Sequence, residues 1–192
     1  MPSGKHAQLE AEIAGRLDAG DLAAAAAAML RGYGVEIFGY LVALARDPPL
    51  ADEVFSMVSE DLWRGLPGFR RESSARTWLY RLAWHAFQRR REDAFDRRRS
   101  PLLPALEELV AEIRSRTAPF LRTEVKQAVA RLRDELAPDE QALLILRIDR
   151  GLAWREIAEV MAAPEATLNK RFERIKDKLR GLAEAAGLIA GE

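Results

Sequence analysis

Cysteine is absent from the 192-residue chain, so neither a disulfide framework nor a thiolate metal site can organise it. Histidine is almost absent as well. His6 and His85 are too few and too isolated for a zinc site, and no metal or other cofactor is expected. No uninterrupted apolar run approaches the ~20 residues of a membrane span, which predicts no membrane insertion. The opening Met1-Pro-Ser-Gly-Lys5 lacks a signal-peptide core, so the expected location is the cytoplasm. The alternating pattern of a strand is missing throughout, and so is any repeat of fixed period. The expected fold class is therefore all-α. Net charge is missing too, because 30 Lys and Arg balance 30 Asp and Glu, which argues against a nonspecific nucleic-acid coat.

What the chain does have is charge in patches. From Asp47 to Asp61 stand Asp47, Asp52, Glu53, Glu60 and Asp61 with no base, a net of −5. From Arg64 to Arg99 eleven arginines face the four acids Glu72, Glu92, Asp93 and Asp96, a net of +7. From Asn169 to Arg180 six bases face Glu173 and Asp177, a net of +4.

In chain order, Leu9, Ile13 and Leu17 recur at helical spacing over Ala7–Ala19, and Asp21 is placed to cap the alanine-rich run that ends at Leu30. A helix over Tyr33–Ala45 puts Val35, Phe38, Leu41, Val42 and Ala45 on one side, and Asp47-Pro-Pro49 breaks it. The next helix, Leu50–Arg64, buries Ala51, Val54, Phe55, Val58 and Leu62 and turns Asp52, Glu53, Ser56, Met57 and Glu60 outward. After Gly65-Leu-Pro-Gly68, the basic loop Phe69–Arg76 feeds an aromatic-rich helix, Thr77–His85, that runs into Arg89-Arg-Arg91 and Arg97-Arg-Arg99. Trp78, Leu79, Leu82 and Ala83 are read as core. Cations beside aromatics are also the two ingredients that hold unpaired bases and their backbone.

Ser100-Pro-Leu-Leu-Pro104 begins a linker, expected over 101–119, with a short amphipathic helix carrying Leu106, Leu109, Val110 and Ile113. A second domain is expected from Phe120, its first helix carrying Leu121, Val125, Ala128 and Leu132. Pro138, Asp139 and Glu140 then open a helix that Gly151 closes. Beyond it a short helix with Ile157, Ala158 and Met161 inward, a turn at Ala162-Ala163 and a second helix from Pro164 make a helix-turn-helix pattern. Leu168, Phe172, Ile175, Leu179 and Leu182 form the packed stripe of that second helix. Its free face is centred on Lys170 and Glu173, with Ala166 and Asp177 along it and Thr167, Asn169 and Arg174 beside it. Asn169, Lys170, Glu173 and Arg174 are the expected base readers, while Arg155 and Arg171 are expected on phosphates.

Two blocks then resemble one family. Leu136-Ala-Pro-Asp-Glu-Gln141, Gly151-Leu-Ala-Trp-Arg-Glu-Ile-Ala158 and Pro164-Glu-Ala-Thr-Leu-Asn-Lys-Arg171 are similar to region four of the extracytoplasmic-function sigma factors of bacterial RNA polymerase. Ala51-Asp-Glu-Val-Phe55, Asp61-Leu-Trp-Arg64, Leu66-Pro-Gly-Phe-Arg70 and Thr77-Trp-Leu-Tyr-Arg-Leu-Ala83 resemble region two of the same family. The resemblance spans roughly Arg31–Leu188. It implies region two over 31–100, region four over 120–192, and an amino-terminal extension, 1–30, that it does not account for.

The resemblance implies a promoter-specificity subunit and not an enzyme. Its partners would be core RNA polymerase, promoter DNA as duplex and as melted strand, and an anti-sigma protein. The free protein would be monomeric. Carried over by position, the polymerase-docking residues are Asp52, Glu53, Ser56, Met57 and Glu60. The minus-ten set is Arg70, Arg71, Ser73, Arg76, Trp78, Arg81, His85, Arg89 and Arg90. The minus-thirty-five set is Trp154, Arg155, Thr167, Asn169, Lys170, Arg171, Glu173 and Arg174. Ser56 and Met57 stand where the family commonly has glutamine and glutamate, His85 where it commonly has asparagine, and Ala162-Ala163 where a glycine is usual. No further regulatory domain is expected after Glu192.

Two other readings stay open on the residues. A sigma-like helix-turn-helix regulator without full polymerase-activating ability would tolerate Ser56 and Met57. A small helical enzyme would need clustered His, Cys or carboxylates; the pair Glu107 and Glu108 fits a solvated helix face instead.

Overall fold

In a computed structural model, residues 4–92, 103–117 and 135–185 are described, and every regular element among them is a helix. The chain divides into two compact units, Met1–Pro119 and Phe120–Glu192. The helix expected over Phe120–Leu132 and the cluster Arg97–Arg99 lie outside the described residues.

The first unit is built around α2. Helix α1 (Gly4–Asp18) ends at a turn in which Gly20 takes φ +71. The Asp21 carboxylate then accepts the Ala24 N–H at 3.0 Å and caps α2 (Leu22–Ala45). α2 runs unbroken through Gly32 and Gly34, where the sequence reading separates an alanine-rich run from a second helix. These glycines do not bend it; they let other helices approach. A β-carbon at Gly32 would fall 2.0 Å from Leu9 Cδ2, and one at Gly34 would fall 2.4 Å from Ile113 Cδ1.

Surrounded in this way, α2 buries Met29, Leu30, Tyr33, Ile37, Tyr40, Leu41 and Leu44, residues from most of its circumference and not one stripe. The expected stripe is corrected accordingly: Phe38, Leu41 and Val42 are buried, Val35 is exposed and Ala45 is half-buried. α2 is also long and apolar enough to cross a membrane. Even so, 61% of its apolar window is buried inside the protein, and Arg31 and Glu36 interrupt it, as suits the central helix of a bundle.

Arg46, at φ 56, closes α2, and Pro48-Pro49 start α3 (Pro48–Gly65) with φ preset for helix. Ala51, Val54, Phe55, Val58 and Leu62 of α3 are all 0% exposed, the stripe read from the sequence. A single tight turn, Leu66–Gly68, leads to the loop before α4 (Ala75–Glu92). α5 (Pro104–Thr117) packs along α2 and touches α3. The segment expected as a linker is therefore a packed helix of the first unit, held by Leu106, Val110 and Ile113 at 3–4% exposure.

In the second unit, α6 (Pro138–Leu144) widens at Ile145–Asp149 into a π-type turn, where Arg150 N–H donates to Ile145 O at 3.0 Å, before Gly151 at φ +64. α7 (Trp154–Met161) and α8 (Glu165–Ala185) follow. Both α6 and α7 start with one half of a capping box. Glu140 accepts the Ala137 N–H at 2.9 Å and Glu156 accepts the Ala153 N–H at 2.7 Å, while alanine has no oxygen to return the bond. Burial opposes ionisation of Glu140, but the Ala137 N–H, Lys178 and Arg171 outweigh it and hold its pKa below the usual range. Leu168, Phe172 and Ile175 bury the inner stripe of α8, with Leu179 and Leu182 half-buried at its end. On α7 the buried pair is Ile157 and Val160; Ala158 and Met161 are half-buried.

Candidate nucleic-acid interface

Three faces carry the residues singled out by the sequence, two of them on the first unit. On α4, Arg81, His85 and Arg89 are spaced four apart and share one stripe. His85 is exposed. Partial burial, and then the neighbouring cations Arg81 and Arg89, lower its pKa below the usual 6.5. Arg70 and Arg71 are exposed on the loop before α4, with Ser73 half-buried beside them. Arg71 takes φ 60 and pairs with Asp18 of α1 at 2.8 Å. An open cleft of about 420 Å³ lies between α1 and this loop, lined by Glu10, Ile13, Leu17, Phe69, Arg71 and Ser73 among others.

Two residues expected on this track point elsewhere. Trp78 is 5% exposed, stacked under Phe69 at 4.5 Å between ring centroids and 18° between planes, so it offers no free ring face to a base. The outer, half-buried ring is Phe69, which periodicity could not single out because it sits in a loop. Arg76 is turned inward: its guanidinium forms a two-pronged pair with Glu36 of α2 and lies 5.5 Å from the Tyr80 ring centroid, and Tyr80 donates to Glu36 at 2.8 Å. A partly buried fork-to-carboxylate pair is structural, and breaking it to reach DNA would take from Glu36 its paired cation.

Beside that pair, Glu10 of α1 accepts the backbone N–H groups of Ala75 at 2.9 Å and Arg76 at 3.2 Å, and the Tyr33 hydroxyl at 2.7 Å. A carboxylate at the start of α4 satisfies orphan donors and meets the positive end of the helix dipole. Burial, and then the bond to Glu10, push the Tyr33 hydroxyl far above its usual pKa, so it stays a donor. The amino-terminal helix thus fixes the loop and the start of α4 from outside.

The second face is on α3, where the expected docking residues Asp52, Glu53, Ser56, Met57 and Glu60 are all half-buried and not freely outward. Arginines of the same chain span most of them. Arg114 of α5 donates to the Asp52 carbonyl at 2.9 Å and to Ser56 Oγ at 2.6 Å. Arg90 lies 2.9 Å from the Glu53 carboxylate, Arg89 pairs with Asp61, and Arg64 lies 3.5 Å from Glu60. Arg114 escaped the sequence reading because it stands 58 and 62 positions from its partners, beyond any periodic signal.

The third face is on the second unit. Ala162 takes φ 51 between α7 and α8, the left-handed conformation usually given to glycine, and Ala163 N–H closes the turn onto Ala158 O at 3.2 Å. Lys170, Glu173, Arg174 and Thr167 are exposed on α8. Asn169 is half-buried and donates to Glu165 O at 3.0 Å, and Glu173 pairs with Lys176 at 2.6 Å. Arg155 is exposed beside Glu159 at 3.5 Å. Arg171 is tied to Asp139 of α6 at 2.8 Å, which makes it a brace between helices and not a free phosphate contact. Trp154 packs edge-on against Phe172 at 5.4 Å, and the Arg147 guanidinium lies over the Trp154 ring, 4.8 Å from its centroid. The π-type turn aims Arg147 there and lets it donate to Leu152 O at 2.9 Å.

A basic stripe beside an acidic helix in one unit and a helix-turn-helix in the other define a helical DNA-binding protein. Residues 29–96 match the family model of sigma-70 region 2. The chain is 27% identical over 154 residues to the RNA polymerase sigma-H factor of Pseudomonas aeruginosa, covering 77% of this chain and 80% of that protein. It is 28% identical over 159 residues to the RNA polymerase sigma factor YlaC of Bacillus subtilis, covering 79% and 88%. It is 29% identical over 124 residues to the ECF RNA polymerase sigma-E factor of Escherichia coli K12, covering 61% and 65%. Among solved structures, CnrH in complex with the cytosolic domain of CnrY superposes with a TM-score of 0.61 at 18% identity, over 94% of this chain and 98% of that one. The sigma factor RpoE of Bartonella quintana, solved with the anti-sigma factor NepR, gives 0.56 at 16% identity over 78% and 90%. At these identities both speak for the fold. Residues 29–96 thus match sigma-70 region 2, and along most of its length the chain is similar to RNA polymerase sigma factors.

Proposed function

We propose that the protein is a promoter-specificity subunit that binds core RNA polymerase and directs transcription initiation, with catalysis left to the polymerase. The observation that carries this reading is a sigma-70 region 2 domain followed, in a second unit, by a helix-turn-helix with an exposed polar and cationic face. In this reading α3 docks on the polymerase through Asp52, Glu53, Ser56, Met57 and Glu60. The melted minus-ten strand follows Arg70, Arg71, Ser73, Arg81, His85, Arg89 and Arg90, with Phe69 as the ring beside it. The second unit acts as region four: α8 reads the minus-thirty-five duplex through Thr167, Asn169, Lys170, Glu173 and Arg174, and Arg155 holds a phosphate. The protein works in the cytoplasm as a monomer until it meets polymerase, promoter DNA or an anti-sigma protein. Transcription reconstituted from purified core enzyme and this chain on fragmented genomic DNA tests the proposal. Discrete initiation sites that need both proteins are expected. DNA binding without initiation would replace it with a regulator that reads promoters but does not activate polymerase.

A further inference from the structure

α5 rests on the face that the reading above gives to the polymerase. Its inner stripe of Leu106, Val110 and Ile113 is buried, and Ile113 fills the space that the missing side chain of Gly34 leaves on α2. From that anchor Arg114 crosses to α3. It donates to the Asp52 carbonyl at 2.9 Å and to Ser56 Oγ at 2.6 Å, with its Nε 3.4 Å from the Asp52 carboxylate. Two of the five docking residues, Asp52 and Ser56, thus hold this one arginine of α5. An apolar helix stripe ending in a cation is also what an external helical partner would have to present to the same groove and acidic helix.

The hold is of a replaceable kind. A fourteen-residue helix is marginal by itself and depends on its one packed stripe, while Glu107, Glu108 and Glu112 on its other side are exposed. The main polar tie to α3 is a single side chain, and its buried Nε has no hydrogen-bond partner, the Asp52 carboxylate lying just beyond bonding geometry. A ligand that satisfies Asp52 and Ser56 better displaces that tie, and one that also covers the seat of Leu106, Val110 and Ile113 displaces the helix.

We propose that α5 and core polymerase compete for one groove on α2 and α3, with Arg114 standing in for the polymerase's cation in the resting protein. The proposal rests on the docking assignment of the previous section. Its consequence is that docking requires α5 to lift. The apparent affinity for core enzyme is then reduced by the fraction of molecules in which α5 is down, and anything that pins or releases α5 regulates the protein.

Because the chain has no cysteine, one engineered disulfide can lock the helix. A β-carbon at position 34 would lie 3.3 Å from Ile113 Cγ1 and 3.7 Å from its Cγ2, which brings Gly34→Cys and Ile113→Cys within reach of a disulfide. The sulfur at 34 occupies the space that the Ile113 side chain vacates. Binding of the double variant to purified core polymerase is measured oxidised and reduced, beside Arg114→Ala and the charge reversal Asp52→Lys with Glu53→Lys. The oxidised form is expected to bind at least tenfold more weakly than the same chain reduced, and Arg114→Ala a few-fold more tightly than the parent. Equal binding by the oxidised and reduced forms, while the charge reversal still weakens binding, overturns the competition and leaves the docking face standing. A charge-reversed protein that binds core enzyme like the parent removes the docking face, and the proposal with it.

Discussion

Glu10 accepts the backbone N–H of Ala75 at 2.9 Å, across 65 positions of sequence. The acceptor for the first turn of α4 therefore comes from another helix, and α1 fixes both that turn and the loop before it. Charge-assisted bonds of this kind contribute about 1.5–3 kcal/mol each, and leaving the buried donors unmet costs a comparable amount. Glu10→Ala should lower stability in urea by about 2 kcal/mol and release the amides of Ala75 and Arg76 to hydrogen exchange. Glu10→Gln, which keeps an acceptor oxygen, should recover most of that protection. Unchanged exchange at both amides in Glu10→Ala would show that α4 caps itself.

Arg76 and Arg81 stand on the same helix and should fail in opposite ways. Arg76→Ala strips the partner from the partly buried Glu36 carboxylate, so a loss of about 3 kcal/mol of stability is expected. Arg81→Ala should leave the melting temperature within about a degree, since a half-exposed cation contributes little to folding. It should weaken binding of a minus-ten single strand several-fold. Thermal melts together with anisotropy on a labelled oligonucleotide separate the two. Equal stability of both variants would contradict the inward assignment of Arg76.

What was legible in the sequence, and what was not, divides along a physical line. The stripes of α3 and α8 could be read because burial on one side of a helix repeats every 3.6 residues, and Val54, Phe55, Val58, Leu168, Phe172 and Ile175 are buried accordingly. α2 misled because a helix enclosed on nearly all sides has no stripe, and its glycines look like breaks when they serve close approach. Arg76 and Arg81 are indistinguishable in sequence, each a cation in a basic aromatic segment. Only Glu36, 40 residues away, makes one of them structural. Arg114 and Glu10 were invisible for the same reason: their partners are tertiary, and no local pattern encodes them.

Ala162 marks a cost carried within the helix-turn-helix itself. At φ 51 its β-carbon crowds the following carbonyl, a strain of roughly 1–2 kcal/mol that glycine would not feel, partly offset by the greater freedom glycine has when unfolded. Ala162→Gly should therefore stabilise the second unit by about 0.5–1 kcal/mol, read as a higher urea midpoint with an unchanged slope. Duplex affinity should stay the same, because no contact residue moves. A lower midpoint would show that the turn relaxes from its left-handed conformation.

His85 supplies a pH dependence whose sign follows from its surroundings. Burial first, and then Arg81 and Arg89, lower its pKa below 6.5, so the free folded protein carries it neutral near pH 7. The unfolded chain takes up that proton more readily, so this residue's effect is a loss of stability as pH falls below 6.5, complete only below the lowered folded value. Strand binding should run the other way. A nearby phosphate favours the imidazolium, so capture should tighten as the pH drops from about 7.5 to about 5, and His85→Ala should flatten that slope. Anisotropy titrations across the range check it. A slope that survives the substitution assigns the proton to another group.

The polar residues of α8 differ in how far the chain already engages them. Lys170 and Arg174 are exposed; Arg155 lies outside the helix on the same unit; Arg171 is fixed to Asp139 at 2.8 Å. Asn169 spends one amide hydrogen on Glu165 O, which leaves its oxygen and its second hydrogen for an adenine edge. Glu173 must give up Lys176 at 2.6 Å to accept from cytosine, an exchange that costs little between two exposed side chains. Asn169→Ala, Lys170→Ala, Glu173→Ala and Arg174→Ala should each relax preference at a single promoter position, by about 1–3 kcal/mol of discrimination. Arg155→Ala should weaken all duplexes alike and lower the salt slope by about one. Arg171→Ala should do neither, and should instead loosen the brace between α6 and α8, seen as a lower melting temperature of the second unit. Binding-site selection beside salt titrations distinguishes the three behaviours. A parental motif retained by Asn169→Ala and Glu173→Ala, together with a lower salt slope in Arg171→Ala, would mean that α8 enters the groove rotated from the face described here.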